Sequence, residues 1–214
     1  MKKSMPALLV LTVALCGCNS ARPPEGGGAT AFGGPATPAA TRLTLLAVDR
    51  SGSTESIRAQ LLETSFEVGT NFDSTRDAFR LYRFGRSIQE VYSQLPEDDD
   101  NFASVLAGQV KASDPLPGTD YPRAAQTLAD AAAEAPEKEI RIVIVGDGRN
   151  DYAADPQSEE RYRIAALRLA RNPHVKWVRF WGVTVGTREE IRAVFKPLGK
   201  RLQIQSLDQN PLAP

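Results

Sequence analysis

The stretch Leu43-Thr44-Leu45-Leu46-Ala47-Val48-Asp49-Arg50-Ser51-Gly52-Ser53 decides how this chain folds. Residues 43–48 form a continuous apolar run, the pattern of a strand buried on both faces of a sheet. Directly after it, Asp49, Ser51 and Ser53 place one carboxylate and two hydroxyls at alternate positions. Oxygen donors this close on one loop can converge on a single hard cation such as Mg²⁺. The rest of the chain then has to supply the missing ligands.

Outward from this stretch, strands and helices alternate. Residues 54–69 carry Ile57, Leu61, Leu62 and Phe66 at helical spacing. Residues 78–84 and 88–92 read as strands around Gly85-Arg86-Ser87, a loop short enough for an antiparallel hairpin. Acidic residues 97–100 lead into an expected short helix over 102–110, and the Ala-rich residues 121–135 predict a helix with Pro122 in its first turn. Residues 140–145 are a second buried strand. Asp155-Pro156 combines an N-cap with a first-turn proline and opens a helix to about Arg171. Residues 175–185 predict a strand. Thr187-Arg188-Glu189-Glu190 fits the capping box T-x-x-E, opening a helix to about Leu198, and residues 201–207 alternate as a last strand.

This order predicts an α/β fold: a doubly wound, mostly parallel six-stranded sheet with one antiparallel edge strand and helices on both faces. Crossovers between parallel strands should be right-handed. Ligands in such sheets sit beyond the carboxyl ends of strands, where the strand order reverses. Asp49 follows the first strand and Asp147 follows the strand at 140–145, so both conspicuous acidic loops fall at such ends.

The chain has 214 residues, 42% apolar and 24% charged, ordinary for one globular domain with a real core. Basic and acidic residues balance at 26 each, which gives no nucleic-acid footprint. Lys2 and Lys3 precede an apolar stretch, residues 7–15, too short to span a membrane as a mature helix. Leu15-Cys16-Gly17-Cys18 then resembles a bacterial lipobox. That resemblance implies a lipoprotein signal peptide over residues 1–17, cleavage before Cys18 and lipidation of Cys18. The mature chain keeps 24 basic and 26 acidic residues, a net charge of −2. Both cysteines are thereby used, so the exported domain is expected to hold together by packing without a disulfide. Residues 18–41 carry the lipidated cysteine and a Gly/Pro/Ala-rich stretch expected to act as a flexible tether. Residues 42–207 are the folded domain and 208–214 a loose tail. The expected location is the bacterial cell envelope, lipid-anchored and outside the cytoplasm.

Between the two acidic loops lies Asp114-Pro115-Leu116-Pro117-Gly118-Thr119-Asp120, ending where a helix is predicted to start. The combination resembles a von Willebrand factor type A (vWA) domain with a metal-ion-dependent adhesion site. The family's D-x-S-x-S after the first strand matches Asp49, Ser51 and Ser53; its lone central Thr matches Thr119; its Asp-Gly after the fourth strand matches Asp147 and Gly148. The resemblance implies Mg²⁺, with Mn²⁺ or Ca²⁺ as substitutes, held by Asp49, Ser51, Ser53, Thr119 and Asp147. It also implies an unidentified protein partner whose Asp or Glu completes the coordination. No nucleotide or nucleic-acid partner and no catalytic residue are implied. The chain departs from the pattern in two places. Gly146 stands where the family often has Thr or Ser, and the sequence ends without the family's usual last helix, whose shift switches affinity.

Alternatives are weighed by their residues. A Mg²⁺-dependent phosphohydrolase of the haloacid dehalogenase type also has Asp after its first strand, but uses D-x-D, and Ser51 stands where its acid would be. A vWA scaffold without a working metal site is the other alternative, with the loops serving only as Asp/Ser turns and caps. Gly146-Asp147-Gly148 lacks the third glycine of a dinucleotide loop, which is Asp151 here. His174 is the only histidine, which excludes a multi-histidine zinc site and leaves it as a loop residue. Trp177 and Trp181 share one face of a strand and read as core. Asp120 and Asp151, next to metal-loop residues, are candidate outer-shell groups.

Overall fold

The computed structural model describes residues 40–60, 63, 77–94, 104, 108 and 116–206. The expected signal peptide, Cys18, the tether, acidic residues 97–100 and the tail over 208–214 lie outside the described residues. So does most of the expected helix over 102–110, of which Ser104 and Gly108 are described and helical.

Six strands form one sheet: β1 (Arg42–Asp49), β2 (Asp77–Phe84), β3 (Ile88–Gln94), β4 (Glu139–Val145), β5 (Val175–Trp181) and β6 (Leu202–Gln205), in the order β3-β2-β1-β4-β5-β6. Only β2 and β3 pair antiparallel, and β3 is an edge. β1 lies parallel to both β2 and β4, so the chain leaves β1 on one side and returns on the other. The reversal of strand order therefore falls between β1 and β4. The hairpin, the two-sided burial of β1 and the sheet type are as the sequence predicts.

Side chains alternate across the sheet. Leu43, Leu45, Ala47, Ile140, Ile142 and Ile144 line one face with helices α1 (Tyr121–Glu134), α2 (Pro156–Arg171) and α3 (Val185–Val194). Leu46, Val48, Phe79, Leu81, Val143, Val145 and Trp181 line the other, with Trp177 packed against them. The small side chains of α1, such as Ala124, Ala125, Ala129 and Ala132, are fully or almost fully buried and allow close packing on the sheet.

Helix boundaries follow from capping chemistry. The Asp120 side chain accepts the Arg123 N–H at 2.9 Å, and Asp155 accepts the Gln157 N–H at 2.9 Å, each followed by a first-turn proline. α1 stops at Ala135, extended before Pro136, and α2 stops at Asn172, extended before Pro173.

Three expectations are corrected. The helix expected from residue 54 starts as a 3-10 turn, Gly52–Ile57, before α-helical residues 58–60. β5 ends at Trp181, not at 185, because Gly182 turns the chain at φ +88°. α3 starts at Val185, two residues ahead of the expected capping box, and gives way after Val194 to a 3-10 turn, Lys196–Arg201. The Thr187 hydroxyl is already helical and donates to the Asp147 carbonyl at 2.8 Å, so it does not cap α3.

Candidate metal-binding site

Three segments meet at the carboxyl ends of β1 and β4. The first leaves β1 at Asp49, which is 1% exposed. Its Oδ1 accepts the Ser51 N–H at 2.8 Å, which bends the loop so that the Ser51 and Ser53 hydroxyls lie 3.0 Å apart. Thr54 secures this bend by donating from Oγ1 to the Ser51 carbonyl at 2.8 Å. Ser51 is buried, while Ser53 faces solvent.

The second segment, residues 116–120, is stitched to its neighbours through the backbone. Leu116 N–H donates to the Arg50 carbonyl at 2.8 Å, and Asp120 N–H donates to the Gly85 carbonyl at 2.9 Å. Between them Thr119 is fully buried. Its N–H donates to Asp151 Oδ2 at 2.9 Å, and its carbonyl accepts the Asp151 N–H at 3.0 Å. Asp151 therefore holds the Thr119 loop from behind, whereas Asp120 caps α1.

The third segment leaves β4 at Gly146. Asp147 Oδ1 accepts the Arg149 N–H at 2.8 Å, repeating the way Asp49 bends its own loop. The Asp147 carbonyl accepts both the Thr184 N–H at 3.1 Å and the Thr187 hydroxyl, so the start of α3 clamps this loop. Gly148, at φ +80°, accommodates the turn. Tyr121, the first residue of α1, accepts the Gly148 N–H on its hydroxyl at 2.8 Å. Local patterns give no sign of Tyr121 and mark Thr187 only as a helix cap, because both act across the fold.

Burial pushes the Asp49 carboxyl up to about 7; hydrogen bonding from Ser51 opposes this, and the neighbouring charge of Asp147 adds to it. Burial and then the same two aspartates push the Tyr121 phenol well above its ordinary value, so it stays protonated. These electrostatics place Asp49, Asp147 and Tyr121 in one neighbourhood.

The residues fit a hard cation. Asp49 Oδ2 and Thr119 Oγ1 are both buried without a hydrogen-bond partner, an expensive state for polar oxygens unless something positive meets them. The donor set is two carboxylates and three hydroxyls, all oxygen, as Mg²⁺ prefers. Among the described residues, no group of three or more His, Cys, Asp or Glu side chains is arranged to hold a metal, so a zinc-type or carboxylate-cage site has no support there.

No family model matches the sequence. No curated protein matches it either. Solved structures do match in backbone. A von Willebrand factor type A protein from Catenulispora acidiphila aligns at a TM-score of 0.57 and 16% identity, over 80% of this chain and 39% of its own. The SpRpn10 VWA domain aligns at 0.55 and 14%, over 80% of this chain and 92% of its own. The fold is that of a vWA domain. The D319A mutant of the PilB minor pilin from Streptococcus sanguinis aligns at 0.60 and 11%, over 78% of this chain and 57% of its own. This vWA fold therefore spans less than two thirds of the length of that pilin and of the Catenulispora protein. At such identities the likeness is one of fold alone. Among the described residues, no helix is long and apolar enough to cross a membrane.

Proposed function

We propose that this chain is a lipid-anchored, extracytoplasmic vWA-type module that binds Mg²⁺ and uses it to recognise an acidic side chain on a protein partner. Asp49, Ser51, Ser53, Thr119 and Asp147 would hold the cation. The observation that carries this reading is the pair of buried, partnerless oxygens, Asp49 Oδ2 and Thr119 Oγ1. Bound there, the cation would offer an electrophilic position to a carboxylate. The chain's own residues fix where that position lies: Ser51 and Ser53 through the bend set by Asp49, Thr119 through Asp151, and Asp147 through Thr187. The proposed role is binding, with the cation as the recognition element and no catalytic residue assigned.

Metal binding is tested by thermal unfolding of the full-length chain. Mg²⁺ at roughly 100 times its dissociation constant stabilises by about 2.7 kcal/mol, a rise of roughly 5–10 °C for a domain of this size. Asp49→Ala should show no rise. Equal behaviour of the two chains at millimolar Mg²⁺ or Mn²⁺ would leave only the scaffold. A Mg²⁺-dependent phosphatase activity lost in Asp49→Asn would replace the binding assignment with the enzyme. The partner is sought by capture from membrane extract with and without chelator, where a metal-dependent partner should be released by chelation.

A further inference from the structure

We propose that Tyr121 is the positioning residue of the metal site: its buried hydroxyl fixes the 146–148 turn against Asp49 and fills the space that a side chain at position 146 would need. The proposal rests on the metal-binding reading above.

Tyr121 is 1% exposed, and its ring stands edge-on to Phe84 with centroids 5.1 Å apart. Phe84 is the last residue of β2, so the ring is set by the sheet and the hydroxyl position is set by the ring. That hydroxyl accepts the Gly148 N–H at 2.8 Å, one residue beyond Asp147. Tyr121 also lies two residues after Thr119, so one segment delivers both a candidate ligand and the phenol.

Gly146 shows how closely these groups meet. A Cβ at this glycine would fall 2.2 Å from the Tyr121 hydroxyl, 2.6 Å from Asp49 Cβ and 3.0 Å from Asp49 Oδ2. The hydroxyl and Asp49 thus crowd the same side of residue 146, and both would have to move for any side chain there. A phenol is a suitable group for this spot. It carries no charge, so it adds no third anion beside Asp49 and Asp147. It accepts one N–H and keeps one O–H to offer towards the carboxylates. The hydroxyl holding the turn comes from α1, and position 146 is left to glycine.

The test uses Tyr121→Phe in the full-length chain, which keeps the ring against Phe84 and removes only the hydroxyl. Loss of a group that orients metal ligands weakens metal affinity by about 10-fold or more. Calorimetric titration with Mg²⁺, at a temperature where the variant is fully folded, should show that loss; in chelator the variant should melt lower by the cost of one unpaired buried N–H, that of Gly148. Mg²⁺ binding by Tyr121→Phe at wild-type affinity would overturn the proposal and leave the metal site standing. A wild-type chain that takes up no Mg²⁺ would instead sink the metal-binding reading, and this proposal with it. A second measurement needs no variant. In the wild type, the Gly148 amide resonance should shift with Mg²⁺ along the same isotherm as the calorimetry, and an amide that ignores saturating Mg²⁺ would overturn the proposal.

Discussion

Asp49 is a carboxylate placed where water cannot reach one of its oxygens. Its proton affinity gives the site a pH signature. Without metal, the folded carboxyl holds its proton up to about pH 7, whereas the unfolded one releases it near 3.8. Between those values the folded state binds more protons than the unfolded state. Stability contributed by this group therefore falls as pH rises through that window. At about 1.4 kcal/mol per unit, the upper limit of the cost is on the order of 4 kcal/mol. Asp49→Asn cannot ionise and escapes the cost. In chelator, the variant should melt higher than the wild type at pH 7.5, with the gap closing towards pH 4, while losing its response to Mg²⁺. Parallel pH profiles for the two chains would show that burial of Asp49 carries no such cost. The five candidate donors were legible because each sits in a short local pattern at a predicted strand end or helix start. Tyr121 and Thr187 were not, because their contacts reach 27 and 40 residues along the chain. No local pattern reports a hydroxyl that meets a distant backbone group.

The helices show the same division. α2 keeps the expected range because Asp155-Pro156 opens it and Asn172-Pro173 closes it, both acting on the backbone locally. α3 was misplaced because T-x-x-E is a local signal, and here the Thr187 hydroxyl serves the Asp147 loop instead. Tertiary bonding also finishes α2. Arg201 donates to the Asn172 carbonyl at 3.1 Å, to the Val175 carbonyl at 3.0 Å and to the Ala170 carbonyl, tying the helix end to the start of β5. The Ala170 carbonyl lies in the last turn of α2 and has no partner within the helix, whereas the Asn172 carbonyl also accepts the Val175 N–H at 3.3 Å. Arg201→Ala removes the Ala170 carbonyl's donor and should lower stability by about 1–3 kcal/mol, read by urea unfolding. The affinity for Mg²⁺ should not change, because these bonds lie at the amino end of β5, away from the metal loops. A parallel loss of affinity would mean that the two ends of the sheet are coupled.

At the scale of the whole molecule, the start of β1 and the candidate metal loops lie at opposite ends of the sheet. The described chain enters at its amino end, where the Thr41 carbonyl accepts the Glu139 N–H and β1 begins. The candidate metal loops stand at the other end, eight strand residues further on, roughly 26 Å away at the usual rise per residue. The proposed lipidation at Cys18 and the proposed metal site share no residue, so the two are predicted to contribute additively. Cys18→Ala tests it. The variant should leave the membrane fraction for the soluble fraction on cell fractionation, because acyl chains on Cys18 would supply the proposed attachment. Its dissociation constant for Mg²⁺ should stay within about twofold of the wild-type value. Retention in the membrane fraction would remove the lipid anchor from the proposal. Loss of Mg²⁺ affinity would contradict that additivity.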